Sequence, residues 1–379
     1  MAAEEALAAS LKGKKYVSDT SRLHDLSGGR VPVCASHPPR FDIANHKQEF
    51  LSYLQEHGYA VASNVVRADQ LDHCKSLMWD YLESIPNTAV RRDDVKTWGI
   101  QGDWLPSETN GILHGFGFGQ SDFMWCLRLL PDVRSVFSAI WGTDDLLVSF
   151  DGGNAFRPWK YNQEWLTDGG WYHVDQNATK AGGVGRVCVQ GLVTLTDVSE
   201  DTGGLVVIPG SHSKHTEMCK RIKVAKSMGD FVPVPVDDEI LKNGAILICA
   251  QAGDMIVWDS RTVHCNSPAL SALSQNDVSE PDSDTVASSD QSWRLIRQVG
   301  YVCMTPAKMA SSEILEKRKD AFVNNISTSH WPHKFVMGGR ALPDSIPNDP
   351  ESISKEQRAL IGYDRSPDSW KDRLLCTVQ

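Results

Sequence analysis

Residues 187–212 read VCVQGLVTLTDVSEDTGGLVVIPGSH, and residues 253–266 read GDMIVWDSRTVHCN. Both stretches contain short runs rich in valine, isoleucine and leucine, separated by turns that contain glycine, proline and aspartate. Runs of this length and composition are typical of β-strands. The same texture recurs at residues 146–156, 244–260 and 297–306. Because no long helical pattern separates these runs, the succession predicts an antiparallel β-sandwich or barrel.

The first third of the chain has a different pattern, in which apolar side chains recur at helical spacing. Residues 45–57 carry an apolar face that includes Phe50 and Leu54, and Gly58 ends the pattern. A second helix is predicted over residues 68–85 for the same reason. Apolar stripes of this kind usually face a core, so we expect an N-terminal helical layer packed on one β-sheet.

Composition divides the chain into segments. Residues 1–40 are polar and mixed, and we expect them to form a partly ordered N-terminal arm. Residues 41–325 are predicted to form a single domain, and residues 326–379 an irregular C-terminal extension. Within the domain, residues 267–292 contain eight serines and five acidic residues but no lysine or arginine. This composition is typical of a flexible surface insertion.

The overall charge and the cysteine content limit the classes of partner and compartment. The 379 residues carry 38 Lys+Arg against 48 Asp+Glu, a net charge of −10, which argues against nucleic acid or an anionic membrane surface as the main partner. No apolar run approaches the ~20 residues that a membrane span needs, and no secretory signal is recognisable. The nine scattered cysteines suit reduced thiols better than disulfides, so we expect a cytoplasmic protein.

Two histidines stand in a sequence context that can bind a metal ion. His173 and Asp175 form the HxD pattern of GGWYHVDQN, and in an extended segment both side chains lie on the same face. His264 follows a well-formed strand and would complete two histidines and one carboxylate on one face of a metal, as in the non-heme Fe(II) oxygenases. The HxD pattern alone is better explained by a hydrogen-bonded surface pair. The addition of His264 favours the metal site.

An iron oxygenase that activates dioxygen also needs two electrons, which a 2-oxoglutarate cosubstrate can supply. The distal carboxylate of 2-oxoglutarate needs a cation, and a guanidinium matches it better than an ammonium group does. Arg294 and Arg297 follow the serine-rich insertion. Because they are three residues apart on a strand, they point to opposite faces, and at most one reaches the pocket. Each arginine taken alone is better explained as a surface residue than as a ligand contact. Of the two, Arg297 is favoured because Val299 and Tyr301 continue its face.

The ordered blocks WYHVDQ, VQGLVTLTDVSEDTGGLVVIPGSH and GDMIVWDSRTVHCN resemble the phytanoyl-CoA dioxygenase family of Fe(II)/2-oxoglutarate oxygenases. The resemblance implies a mainly β fold, the double-stranded β-helix (jelly roll, cupin-like), with helices packed on one sheet. It implies iron ligands at His173, Asp175 and His264, with Fe(II), 2-oxoglutarate and dioxygen as cofactor and cosubstrates. The implied reaction is oxidation of a C–H bond of a small organic molecule, most readily hydroxylation, with release of succinate and carbon dioxide.

The resemblance also indicates which residues hold the cosubstrate. Asn266, two residues after His264 on the same side of its strand, is similar in position to a family residue that binds the oxoglutarate carboxylate. Gln190 is a polar residue in an apolar strand, and its amide could face the cosubstrate or equally well bond to a backbone carbonyl. The chain departs from the family because the acidic insertion separates His264 from the following arginine. Both Arg297 and Arg294 therefore stay candidates.

Two alternative functions stay open at this point. The jelly roll could be a catalytically inactive binding protein with a degenerate metal centre, which the intact ligand set argues against. A cupin-like metal enzyme, for instance an isomerase or a zinc hydrolase, could use the same three ligands without oxoglutarate. A visible charge-transfer band that requires Fe(II) and 2-oxoglutarate together distinguishes the oxygenase from both.

Overall fold

The computed structural model describes residues 31–222, 224, 228–274 and 293–363. In chain order, the strands of these residues are β1 (Val33–Ser36), β2 (Arg40–Phe41), β3 (Tyr59–Ala62), β4 (Ile112–Leu113), β5 (Leu146–Val148), β6 (Gly153–Phe156), β7 (His173–Val174), β8 (Val189–Thr194), β9 (Gly204–Val207), β10 (Val232–Pro233), β11 (Ala245–Ile248), β12 (Met255–Asp259), β13 (His264–Ser267), β14 (Arg297–Tyr301), β15 (Met304–Pro306), β16 (Ser327–Thr328) and β17 (Met337–Gly339). The α-helices are α1 (Ile43–His57), α2 (Ala68–Glu83), α3 (Asp122–Leu129), α4 (Pro131–Trp141), α5 (His215–Arg221), α6 (Leu270–Ser274), α7 (Ser312–Val323) and α8 (Lys355–Ile361). In this part of the chain, no helix has the length and apolar character needed to cross a bilayer.

Most of the strands belong to two large sheets. The first sheet has the order β1–β11–β9–β13–β7–β10, and the second has the order β2–β3–β12–β8–β14–β6–β4. Within them β1 pairs with β11 and β2 pairs with β3 in parallel, and the other pairings are antiparallel. Each order has two ends, so the described residues form open, mixed sheets and do not close into a barrel.

The second sheet is buried on both faces, which determines its place between the first sheet and the helices. Along β12, Ile256 and Trp258 point into the core shared with the first sheet. Met255 and Val257 point the other way, into the core shared with α1 to α4. This alternation is what the two-residue period requires of a central strand covered on both sides. The helices expected from the first third of the chain therefore cover the outer face of this sheet.

Helix α1 ends at the glycine that the sequence indicates. Gly58 has a left-handed φ of 80°, and its N–H donates to the carbonyl of Leu54. A Cβ on Gly58 would lie 2.4 Å from Nδ1 of His212, so both the backbone conformation and the available space require glycine. The turn leads directly into β3, which pairs with β12. This short connection packs α1 against the second sheet.

Both ends of the described chain are fixed to the sheets. Arg40 makes hydrogen bonds of 2.6 and 2.7 Å to the carboxylate of Asp254, which is fully buried. The extension after residue 325, expected to be irregular, contains the β16–β17 pair and α8. A capping box between Ser354 and Gln357 begins α8, and Gly362 ends it. The capping box and the final glycine of α8 are local signals that overall composition does not register.

The predicted insertion at residues 267–292 is described only at its beginning. Ser267 ends β13, and α6 places Leu270 and Leu273 in the core between the two sheets. Residues 267–274 are therefore part of the packed structure, because these two leucines bury apolar surface that a flexible loop would expose. Residues 275–292 lie outside the described residues.

Candidate active site

Neighbouring strands of the first sheet bring the two predicted histidines together. His173 begins β7, His264 begins β13, and the two residues are direct partners in the antiparallel register. Asp175 follows β7, and its backbone N–H donates to the carbonyl of Ser260 at 3.2 Å, in the turn before β13. One possible ligand atom from each of the three side chains lies within 4.8 Å of the other two. These three groups could hold one metal ion.

Each imidazole is oriented by a hydrogen bond on the side away from this point. Nδ1 of His173 lies 3.1 Å from the carbonyl of Trp171, and Nδ1 of His264 lies 2.9 Å from the carbonyl of Thr262. Because a carbonyl can only accept, each Nδ1 carries the proton and each Nε2 keeps a free lone pair. The two Nε2 atoms lie 3.5 and 3.2 Å from the carboxylate oxygens of Asp175. A cation would satisfy this convergent set of acceptors, and the donor set suits Fe(II).

Burial and nearby charges set the protonation of the three groups. Burial would raise the pKa of Asp175, but the positive charges that His173 and His330 carry when protonated, and the hydrogen bonds that protonated His173 and His264 donate, hold that pKa well below its ordinary value. Burial and the charge of His173 lower the pKa of His264, against the opposing effect of Asp175. At neutral pH the carboxylate is therefore ionised and His264 is neutral, which are the forms that bind a metal ion.

Gln190 contacts one of the candidate ligands. Its Nε2 donates to Oδ2 of Asp175 at 2.8 Å. The carboxylate is a stronger acceptor than the backbone carbonyl that was considered, and β8 of the second sheet faces it. A contact of Gln190 with the cosubstrate stays a prediction. The hydrogen bond orients the carboxylate plane, a role that commonly strengthens metal binding.

Aromatic rings pack against both histidines. Trp171 stacks on His173 with the ring centroids 5.0 Å apart, and Phe231 stacks on the same imidazole at 4.7 Å. The ring centroid of Trp258 lies 5.4 Å from that of His264. These contacts restrict rotation of the imidazoles and keep water away from them. The positions of Phe231 and Trp258 at the site were not predicted, because a single aromatic residue in an apolar segment carries no distinctive sequence signal.

A second polar cluster forms around Arg297, at the beginning of β14. This residue is 1% exposed, and its Nε donates to Oδ1 of Asn154 at 3.1 Å. Nη1 and Nη2 are buried and have no hydrogen-bond partner within the described residues. Burial lowers the pKa of the Arg297 guanidinium to about 10, so it is still charged at neutral pH. A buried guanidinium with two free donors is suited to a carboxylate.

The surroundings of Arg297 suit an anionic cosubstrate. A Cβ on Gly204 would lie 2.8 Å from Nη1 of Arg297, so the glycine provides the space that the guanidinium occupies. Asn266 is 4% exposed, and its Nδ2 has no partner in the described part of the chain. Burial raises the pKa of the Tyr301 hydroxyl, and the opposing effects of Arg297, Asn266 and Asn154 show that Tyr301 lies close to these members of the cluster. The unpaired donors of Arg297 and Asn266 are the observation that fits 2-oxoglutarate.

The structure distinguishes between the two predicted arginines. Arg294 is exposed, and only Arg297 is brought into the interior. Asn154 and Tyr301 are members of the cluster that sequence reasoning did not identify. Tyr301 lies on the face predicted for Arg297, which was an available signal. Asn154 reaches the cluster through the pairing of β6 with β14, a contact between segments far apart in the chain.

Comparison with curated proteins finds two relatives of similar length. The Ava biosynthesis cluster protein O of Aspergillus versicolor is 24% identical over 307 residues, which cover 78% of this chain and 90% of that protein. A putative phytanoyl-CoA dioxygenase of Dictyostelium discoideum is 23% identical over 248 residues, which cover 56% of this chain and 68% of that protein.

Comparison with solved structures and family profiles extends these similarities. The crystal structure of GlcNAc Inducible Gene 2 (GIG2, DUF1479) from Candida albicans has a TM-score of 0.50 and 15% identity, and covers 99% of this chain and 94% of that chain. This likeness concerns the fold alone. Residues 54–274 match the profile of the family described as phytanoyl-CoA dioxygenase (PhyH), a segment that contains His173, Asp175 and His264. Because the match covers more than half of the chain, the protein belongs to the phytanoyl-CoA dioxygenase family, and it is a 2-oxoglutarate-dependent dioxygenase that uses Fe(II) and dioxygen.

Proposed function

We propose that the protein hydroxylates a C–H bond of a small organic molecule, with release of succinate and carbon dioxide. One observation carries this proposal: the ligand atoms of His173, Asp175 and His264 converge within 4.8 Å of one another. In this proposal the three side chains hold Fe(II). Bound iron and 2-oxoglutarate together supply the oxidising power that dioxygen alone does not deliver to a C–H bond.

Arg297 is the proposed anchor for the distal carboxylate of 2-oxoglutarate. Its Nη1 and Nη2 are buried donors without a partner within the described residues, and leaving a charged group unpaired in the interior is costly. A bound carboxylate would accept from both Nη atoms, while Nε stays on Asn154. Asn266 adds a further free amide donor beside the hydroxyl of Tyr301. Exposed Arg294 is not proposed to take part.

The protein side chains also prepare the site for oxidation of a C–H bond. Gln190 orients the Asp175 carboxylate, and the Nδ1 bonds of both imidazoles direct their Nε2 atoms to one point. His173 and His264 are each 5% exposed, so the site excludes most water and protects a reactive oxidant from side reactions. The carboxylate ligand favours hydroxylation, or a related oxidation such as desaturation or ring formation, over transfer of a halide.

We also propose that the two sheets represent a double-stranded β-helix, or jelly roll, and that residues 41–325 form one domain. The mainly antiparallel orders of the two sheets support this interpretation. The apolar core that the two sheets share supports it as well. The substrate is proposed to be a small molecule and not a polyanion, since the net charge is −10.

The test is turnover by purified protein, supplied with Fe(II), 2-oxoglutarate and isotopically labelled dioxygen in a metabolite extract. We expect one product that gains a labelled oxygen atom, and succinate formed in equal amount. The matched control is Asp175→Asn, which keeps the side-chain shape and removes the charge, and it should form no product. Conversion without 2-oxoglutarate would favour a cupin-like metal enzyme. Absence of any conversion by the wild-type protein would favour a binding protein.

A further inference from the structure

A segment of the C-terminal extension, residues 327–334, lies beside the proposed metal site. The backbone N–H of Thr328 donates to the carbonyl of Phe150, and the hydroxyl of Thr328 accepts from the N–H of Phe150. The thiol of Cys188, two residues before Gln190, donates to the carbonyl of His330 at 3.7 Å. These contacts fix the backbone of the segment against the sheets. The family match ends at residue 274, so this segment lies outside the matched range.

The same segment is connected to the residues that pack on the metal-site histidine. Nζ of Lys334 lies 2.8 Å from Oδ2 of Asp230. The next residue, Phe231, stacks on the imidazole of His173 with centroids 4.7 Å apart. The ion pair is partly buried, with 32% of the lysine side chain and 19% of the aspartate side chain exposed. The extension is thereby held at the wall of the site, next to the ring that covers His173.

His330 is a polar residue of this segment with an unpaired nitrogen. Its Nε2 is buried, yet it has no hydrogen-bond partner within the described residues. Its backbone carbonyl accepts from the thiol of Cys188, and Gln190, two residues further along, donates to Asp175, so His330 lies near the proposed iron ligands. It is not one of the three groups whose ligand atoms lie within 4.8 Å of one another. Buried polar atoms are nearly always paired, and an unpaired one at an active site indicates a partner that arrives with the substrate.

We propose that His330 is a substrate-binding residue whose Nε2 makes a hydrogen bond to a hydroxyl or carbonyl oxygen of the prime substrate. This inference rests on the proposed oxygenase function and specifies its substrate class. A neutral imidazole nitrogen can donate to a carbonyl or accept from a hydroxyl, depending on its tautomer. The preferred substrate therefore carries an oxygen function next to the C–H bond that is oxidised. In this proposal His330 binds the prime substrate, whereas the three metal ligands bind Fe(II) and Arg297 binds 2-oxoglutarate.

The test compares full-length wild-type protein with His330→Phe and His330→Gln, using the substrate that the wild type converts in the extract. His330→Phe keeps a ring and removes both nitrogens, so we expect KM for that substrate to rise roughly tenfold to a hundredfold. His330→Gln retains a polar group and should recover most of the loss. The matched control is His333→Asn, three residues further along the segment, which should leave KM within about twofold of the wild-type value.

A second measurement separates failure of this inference from failure of the proposed function. Anaerobic titration of each variant with 2-oxoglutarate, followed by the visible Fe(II) band, should give the wild-type Kd within about twofold and prove that the variant is folded. If His330→Phe turns over with the wild-type KM, His330 makes no hydrogen bond that matters for substrate binding, and the inference is overturned. If the variant loses the visible band, His330 serves the metal site, and the inference is also overturned. If the wild type itself shows no band and no product, the proposed function fails, and this inference fails with it.

Discussion

Replacement of Arg297 by methionine removes the guanidinium but keeps a long apolar side chain in its place. In the structure the two Nη atoms are buried and free, and each hydrogen bond to a charged partner contributes about 1.5–3 kcal/mol. Because the two bonds share one guanidinium and are not additive, we expect a total loss of about 3 kcal/mol in 2-oxoglutarate binding. This corresponds to an increase in Kd of roughly 150-fold.

The assay is anaerobic titration of the Fe(II)-loaded protein with 2-oxoglutarate, in which the visible band reports the bound complex. Arg294→Met is the matched control, since Arg294 is exposed, and its Kd should equal that of the wild type. The free energy of unfolding of the 2-oxoglutarate-free protein should not fall in Arg297→Met, because burial disfavours a guanidinium whose two Nη atoms are unpaired and lowers its pKa to about 10. A Kd for Arg297→Met within threefold of the wild type, or an equal effect of Arg294→Met, would refute this reasoning.

Three further predictions concern metal affinity, pH dependence and the N-terminal segment. Gln190→Leu loses the 2.8 Å hydrogen bond to Asp175, so Fe(II) binding should weaken by roughly 10- to 100-fold in a metal titration. An unchanged Fe(II) affinity would contradict the role of Gln190 in orienting the carboxylate. Burial and the charge of a neighbouring lysine lower the pKa of His333 to about 4, whereas the unfolded chain titrates near 6.5. As pH falls, the unfolded state therefore takes up the proton first. The free energy of unfolding, measured with urea, should decrease by up to about 3 kcal/mol between pH 6.5 and pH 4. His333→Asn should remove this part of the pH dependence, and a variant with the same pH profile as the wild type would contradict the prediction. Arg40→Met leaves the buried Asp254 carboxylate without its cation and should lower the free energy of unfolding, measured by urea denaturation, by about 3 kcal/mol. The control is Arg67→Met, which removes an arginine from an exposed site.

The convergence of the three candidate metal ligands could be predicted because their signal is local. His173 and Asp175 are two residues apart, and the period of an extended segment puts them on one face. His264 follows, after a four-residue turn, an apolar strand that a glycine–aspartate turn precedes. The structure adds the pairing of His173 with His264 across β7 and β13, which no single stretch of sequence encodes.

Contacts between distant segments could not be predicted. Gln190 bonds to Asp175 across two sheets, and the alternatives considered from the sequence did not include a carboxylate partner. His330 lies near the site only because the extension folds back onto β8, where Cys188 contacts it. Local composition was also misleading at α6, since serines and acidic residues surround the core side chain of Leu270. Element types followed from periodicity, whereas strand order and these side-chain partners depend on packing over the whole chain.

The most direct test of the central claim is the anomalous scattering of iron, from crystals grown without oxygen in the presence of Fe(II) and 2-oxoglutarate. We predict one iron peak about 2.0–2.2 Å from Nε2 of His173, Nε2 of His264 and a carboxylate oxygen of Asp175. An iron peak at other residues, or a fully loaded protein in which these three side chains point away from the metal, would contradict the account.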